Sequence, residues 1–152
     1  MNGIALKILK KVSMSGEVSL AAVLRMAKPR HRNHLDQYPL ALLLEAGYLG
    51  ATINHTPPAG AEEMREFSLA ITLYMFALPK DDKGIVNYLG IKSSGSIDLE
   101  KERVFLKAKG SLYLDELKQK FWDRMWSFVL GFSAGLLVAI ASAWLKEQLK
   151  LP

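Results

Sequence analysis

Cysteine is absent from the 152 residues, so disulfides, thiolate metal sites and thiol nucleophiles are ruled out. Histidine is nearly as scarce, with only His31, His34 and His55. His31 and His34 stand three apart, a spacing that puts two ligands on one helical face. Pro29 and the cationic neighbours Arg30 and Arg32 argue against a metal ion there. All three imidazoles read as surface loop histidines. No GxSxG elbow, glycine-rich phosphate loop or HExxH motif occurs. Glu62, Glu63 and Glu66 cluster, but the first turn of a helix favours acids without any catalytic demand. Asp81-Asp82, beside Lys80 and Lys83, reads as a charged turn. These residues predict no enzyme, no cofactor and no metal. Internal repeats and low-complexity tracts are also lacking. The opening MNGIALKILKKVSMSG mixes its lysines among apolar residues and lacks the basic-then-apolar order of a secretory leader.

The most informative absence is charge between Met125 and Leu145. These 21 residues, MWSFVLGFSAGLLVAIASAWL, hold nothing more polar than three serines. As an α-helix they would run roughly 31 Å, close to the ~30 Å hydrocarbon core of a bilayer. Nine of them are Leu, Ile, Val or Phe. At about −0.3 to −0.6 kcal/mol each, these favour insertion by about 3–5 kcal/mol. Trp122 and Trp126 at one end and Trp144 at the other fit the headgroup level, where amphipathic indoles settle. Lys118, Lys120 and Arg124 precede the segment, and Lys146 and Lys150 follow it. With the basic first third behind them, the preceding cations outnumber the following ones. That bias predicts a membrane protein with its N-terminal domain in the cytoplasm.

Acids are missing from the first third. Residues 1–35 carry seven Lys/Arg against one Glu, whereas residues 36–124 carry eleven against thirteen acids. The net charge of +5 therefore belongs to the N-terminal region. Lys7, Lys10 and Lys11 accompany the first helix, and Lys28, Arg30 and Arg32 lie in the turn KPRHRNH. This basic patch suits lipid headgroups, a protein or nucleic acid, and it also suits a merely solvated loop.

Periodicity predicts helices over about 3–13, 20–28 and 37–46, the second capped by Ser19 and the third by Asp36, with Pro39 in its first turn and Gly47 at its end. Residues 48–54 read as a strand, 62–78 as a buried helix and 82–89 as a short helix. Residues 96–100 and 103–107 read as the two strands of a hairpin. Leu24, Leu42, Leu43, Ile71 and Phe105 offer a core. From Gly110-Ser111 a final helix runs without a breaker into the apolar segment.

The order of elements, with the third helix ending in EAGYLG and a strand closing on VFLKAKGSLYLDEL, resembles a winged-helix domain. The turn at Lys109-Gly110 and the helix start at Tyr113-Leu114 carry the most specific part of the likeness, which extends over residues 3–120. The chain is similar to small bacterial winged-helix proteins with a C-terminal transmembrane anchor. Residues 56–96 depart from the pattern, because a simple wing has a hairpin loop there. The resemblance implies an α+β fold, a winged-helix-like cytosolic domain followed by a single C-terminal transmembrane helix. Its parts are an elaborated domain over 1–111 (with 56–96 as insertion), a juxtamembrane helix over 112–124, the membrane helix over 125–145 and a short tail over 146–152.

In winged-helix regulators the third helix enters the major groove and needs donors and acceptors on its outer face. Here it reads QYPLALLLEAG, with five apolar residues in a row and Glu45 as its only charge. Nucleic acid is therefore the less favoured partner. Gly131, Gly135, Ala139 and Ala143 recur every four residues, a small-residue stripe that lets two membrane helices approach closely, with Ser133 and Ser142 nearby. The expected function is a non-enzymatic, membrane-anchored interaction or adaptor protein that binds membrane lipid, its own copies as a homodimer or higher oligomer, and an unidentified protein. The alternatives are a membrane-bound DNA-binding transcription regulator and a membrane-disrupting effector of a phage-defence or toxin system.

Overall fold

The computed structural model describes residues 3–27, 30–53, 62–93 and 97–148. Contacts divide the chain into two compact units, Met1–Leu112 and Tyr113–Pro152. The first is a mixed helix-and-sheet domain.

It opens with α1 (Gly3–Ser15), whose Ala5, Ile8, Leu9 and Val12 are buried at helical spacing. Gly16 takes a left-handed conformation and releases the chain into β1 (Glu17–Ser19). Ser19 caps α2 (Leu20–Met26), its hydroxyl accepting from the backbone N–H of Ala22. A single 3₁₀ turn (His34–Gln37) leads into α3 (Tyr38–Glu45), which carries Pro39 in its first turn. Gly47, at φ 73°, then reverses the chain. Next comes β2 (Leu49–Ala51).

A second 3₁₀ turn (Glu62–Met64) opens α4 (Arg65–Ala77). The hairpin β3 (Val86–Tyr88) and β4 (Ile91–Ser93) follows, and then β5 (Arg103–Leu106). The main sheet has the order β1-β5-β2, antiparallel throughout, with Val18 opposite Val104 and Gly50 opposite Phe105. The last strand in sequence is therefore the central one. Its Val104 is fully buried, as are Ile8, Leu9 and Val12 of α1, Leu20 and Val23 of α2, Leu40 and Leu43 of α3, and Leu49 of β2. Helix α4 packs against α3, the 34–37 turn and α2. Its far side forms a smaller cluster in which Ile71 and Met75 meet Val86, Leu78 and Tyr88.

Several expectations need correcting. Residues 96–100 form no strand among the described residues; the Asp98 carboxylate accepts from the N–H of Glu100, and its carbonyl accepts from Lys101 and Glu102. β5 pairs instead with two distant strands. Residues 82–89 form no helix. Asp81 accepts from the backbone of Lys83 and Ile85, Gly84 is left-handed, and Val86–Tyr88 is drawn into the hairpin. Leu89 and Gly90 at φ 52° and 79° supply the two left-handed residues of a tight turn. Leu42, expected in the core, is 47% exposed. Five consecutive apolar residues subtend more than one helical face, so α3 cannot bury all of them.

The second unit is carried by α5 (Ala108–Gln148), a helix of 41 residues that starts four residues earlier than expected and runs unbroken through 112–145. Among the described residues it is the one helix long and apolar enough to cross a membrane. Residues 125–145 are exposed all round among the described residues; Phe128, for example, is 76% accessible. A helix apolar on every face with nothing covering it is what a bilayer solvates.

Candidate interaction surfaces

The basic turn between α2 and α3 is built around one carboxylate. Asp36, only 8% exposed, does not cap α3 as expected. It turns back and accepts from the backbone N–H groups of Arg30 (3.0 Å), His31 (2.9 Å) and Arg32 (2.8 Å). Asn33 caps the 34–37 turn instead, its side chain accepting from Leu35 N–H at 2.9 Å, and α3 itself has no side-chain cap at Gln37. Burial alone would raise the Asp36 pKa. The three N–H donors and the neighbouring His31 charge outweigh it and hold the carboxyl below the usual range. The arrangement keeps Arg32 left-handed at φ 55°, and the Tyr74 hydroxyl of α4 donates to the Arg32 carbonyl at 2.7 Å. The side chains of Arg30 and Arg32 are left in solvent.

Lys7, Lys10 and Lys11 are exposed on the outer side of α1. The expected basic patch is thus carried by two separate elements, α1 and the turn, and Lys28 lies outside the described residues. Of the histidines, His31 is exposed, as expected, and His55 lies outside the described residues. His34 is not a loose surface residue. It is half-buried, its Nδ1 lies 3.0 Å from the Tyr88 hydroxyl, and its ring meets Phe67 edge-on at 4.9 Å. With Tyr74 against Tyr88, these aromatics pin α4 and the hairpin onto the turn that leads into α3.

A surface that sequence reasoning missed lies along α3. Leu35 is 45% exposed, and with Tyr38, Leu42 and Tyr48 it lines an open apolar depression of about 270 Å³ between α1 and α3. At its edge Lys109 sits 4.9 Å above the Tyr48 ring and donates to the Ala46 carbonyl at 2.8 Å. The run LALLL signalled an excess of apolar residues, but which of them would face outward depended on what α1 and α4 cover.

On α5, Trp122, Trp126 and Trp144 are exposed. Gly131, Gly135, Ala139 and Ala143 lie on one stripe, also exposed, and a Cβ added at either glycine would meet nothing within 4 Å. Ser133 donates back to the Leu130 carbonyl at 3.0 Å, so its proton is already engaged. Before the apolar segment, Lys118 pairs with Asp115 at 3.6 Å and Lys120 with Glu116 at 3.0 Å. Lys146 and Lys150, beyond the segment, have no side chain among those described. Comparison of the chain with protein-family models, with curated proteins and with solved structures finds no match.

Proposed function

We propose that the chain is a non-enzymatic, single-pass inner-membrane protein whose cytoplasmic, winged-helix-like domain binds other proteins, its own copies among them. The sheet order β1-β5-β2, with α1, α2 and α3 in the expected places, supports the winged-helix reading. The observation that carries the functional part is the outer face of α3. Leu35, Tyr38 and Leu42 present apolar surface where a DNA reader needs hydrogen-bonding side chains, and Glu45 would oppose phosphate. Helix α4, packed on α3 and on the turn before it, also favours protein contact, because the N-terminal residues of a recognition helix are those that reach base edges. An exposed apolar patch rimmed by polar groups is the usual mark of a protein interface.

The test uses the full-length chain in detergent micelles. Sedimentation should give a dimer or larger species, and Leu42→Glu on the outer face of α3 should shift it toward monomer. Mixed-sequence duplex DNA should leave the protein unshifted at low salt. Tight DNA binding that weakens steeply with salt would instead establish the regulator alternative.

A further inference from the structure

The outer side of α1 has no role in the domain's core. Its inner side is fully used, with Ile8, Leu9 and Val12 inaccessible to solvent. Lys7, Lys10, Lys11 and Met14 follow one another at the i, i+3, i+4, i+7 spacing that places side chains on one helical face. Met14 is 87% exposed, the most exposed of the large apolar side chains described. The helix contains no acid, and among the described residues the ion pairs involve Arg25, Lys101, Lys118 and Lys120 but none of these three lysines. Three uncompensated ammonium groups beside one protruding flexible apolar side chain match a layer of phosphates over hydrocarbon.

We propose that the Lys7–Lys10–Lys11–Met14 face of α1 docks on the anionic lipid surface of the membrane that α5 crosses. The inference rests on the membrane reading of α5. Charge complementarity selects the occupant. The stripe is positive and lacks the planar donors that read bases, and the cytoplasmic leaflet is negative. Only twelve residues, 113–124, separate Leu112 from the apolar segment at Met125, so such a surface is always at hand, at high effective concentration. Each lysine near an anionic surface contributes enough that three together shift the docked-to-free ratio on the order of 100-fold. The Met14 side chain would enter the headgroup layer beneath them.

Because the natural chain has no cysteine, single cysteines can be labelled without interference. Full-length Met14→Cys and Val138→Cys, each carrying a polarity-sensitive dye, are reconstituted in vesicles of phosphatidylcholine alone or mixed with phosphatidylglycerol. The dye at position 138 should report hydrocarbon in both. The dye at position 14 should brighten and shift to the blue only in the anionic vesicles. High salt should reverse the change, and so should the triple change Lys7→Gln, Lys10→Gln, Lys11→Gln, which leaves the helix and its buried face intact. If position 138 reports lipid while position 14 stays aqueous in both vesicles, the docking inference falls and the anchor stands. If position 138 reports water, the anchor itself falls. An equal response in neutral and anionic vesicles, or a response to added duplex DNA and none to phosphatidylglycerol, also overturns the inference.

Discussion

Asp36 shows how one side chain determines the shape of the basic turn. Its carboxylate takes three backbone donors from Arg30, His31 and Arg32, which keeps the two arginine side chains outside. Asp36→Ala strands those donors and should cost about 2–3 kcal/mol in a thermal or urea melt, the turn being partly open to water. The sign of the pH dependence follows from its lowered pKa. The carboxylate's contribution is complete above the unfolded pKa of about 4 and is lost as pH falls through the folded value. The stability gap between the natural protein and Asp36→Ala should therefore stay constant at neutral pH and close only in more acid solution. Gly110 makes a second residue-level case. In a helix, Gly→Ala normally stabilises by about 0.5–1 kcal/mol. Here a Cβ would run into the Tyr48 carbonyl and the Leu106 side chain. Gly110→Ala should instead destabilise by about 1–3 kcal/mol, the range for overpacking. A melt showing a gain would mean the close approach of 48 and 110 is wrong.

Among the elements, α5 invites the most direct experiment. In lipid no hydrophobic drive pulls helices together, so association depends on how closely backbones can approach. Gly131 and Gly135 are open on their outer side, with Ala139 and Ala143 continuing the stripe. Gly135→Ile should weaken dimerisation of the span by about 1–2 kcal/mol, whereas Leu137→Ile, on the opposite side of the helix, should change little. A self-association assay in a bacterial inner membrane compares the two; equal signals would make the stripe mere composition. The α4 and β3–β4 elements serve a different purpose. They form a small satellite core around Ile71, Met75 and Val86 and brace the basic turn through Tyr74, Phe67 and Tyr88.

For the whole molecule the testable quantity is topology. Arg124, Lys118 and Lys120 stand close on the N-terminal side of the span, against Lys146 and Lys150 beyond it. The rule counts cations rather than net charge, so the pairing of Lys118 and Lys120 with Asp115 and Glu116 does not weaken it. A phosphatase reporter fused after Pro152 should be active, since that enzyme matures only outside the cytoplasm. A silent phosphatase with an active cytoplasmic reporter at the same site would reverse the orientation.

The sequence by itself determined the apolar segment, the first three helices and the Ser19 and Gly47 punctuation, because each depends on neighbours within a few residues. Twenty-one uncharged residues, or Ile8, Leu9 and Val12 at helical spacing, need no distant partner to be read. Lys7, Lys10 and Lys11 were legible as basic, and helical spacing placed them with α1. What only tertiary structure decided was everything set by long-range competition. β5 passed over its neighbour in sequence because β1 and β2 together offer it two edges. Asp36 left the helix end because three backbone donors outweigh one, in a turn that the Tyr74 hydroxyl braces from 42 positions away. Leu42 came to the surface because α1 and α4 can cover only part of α3. In each case local propensity allowed more than one answer, and the choice lay with residues distant in sequence, 88 positions apart for Glu17 and Phe105.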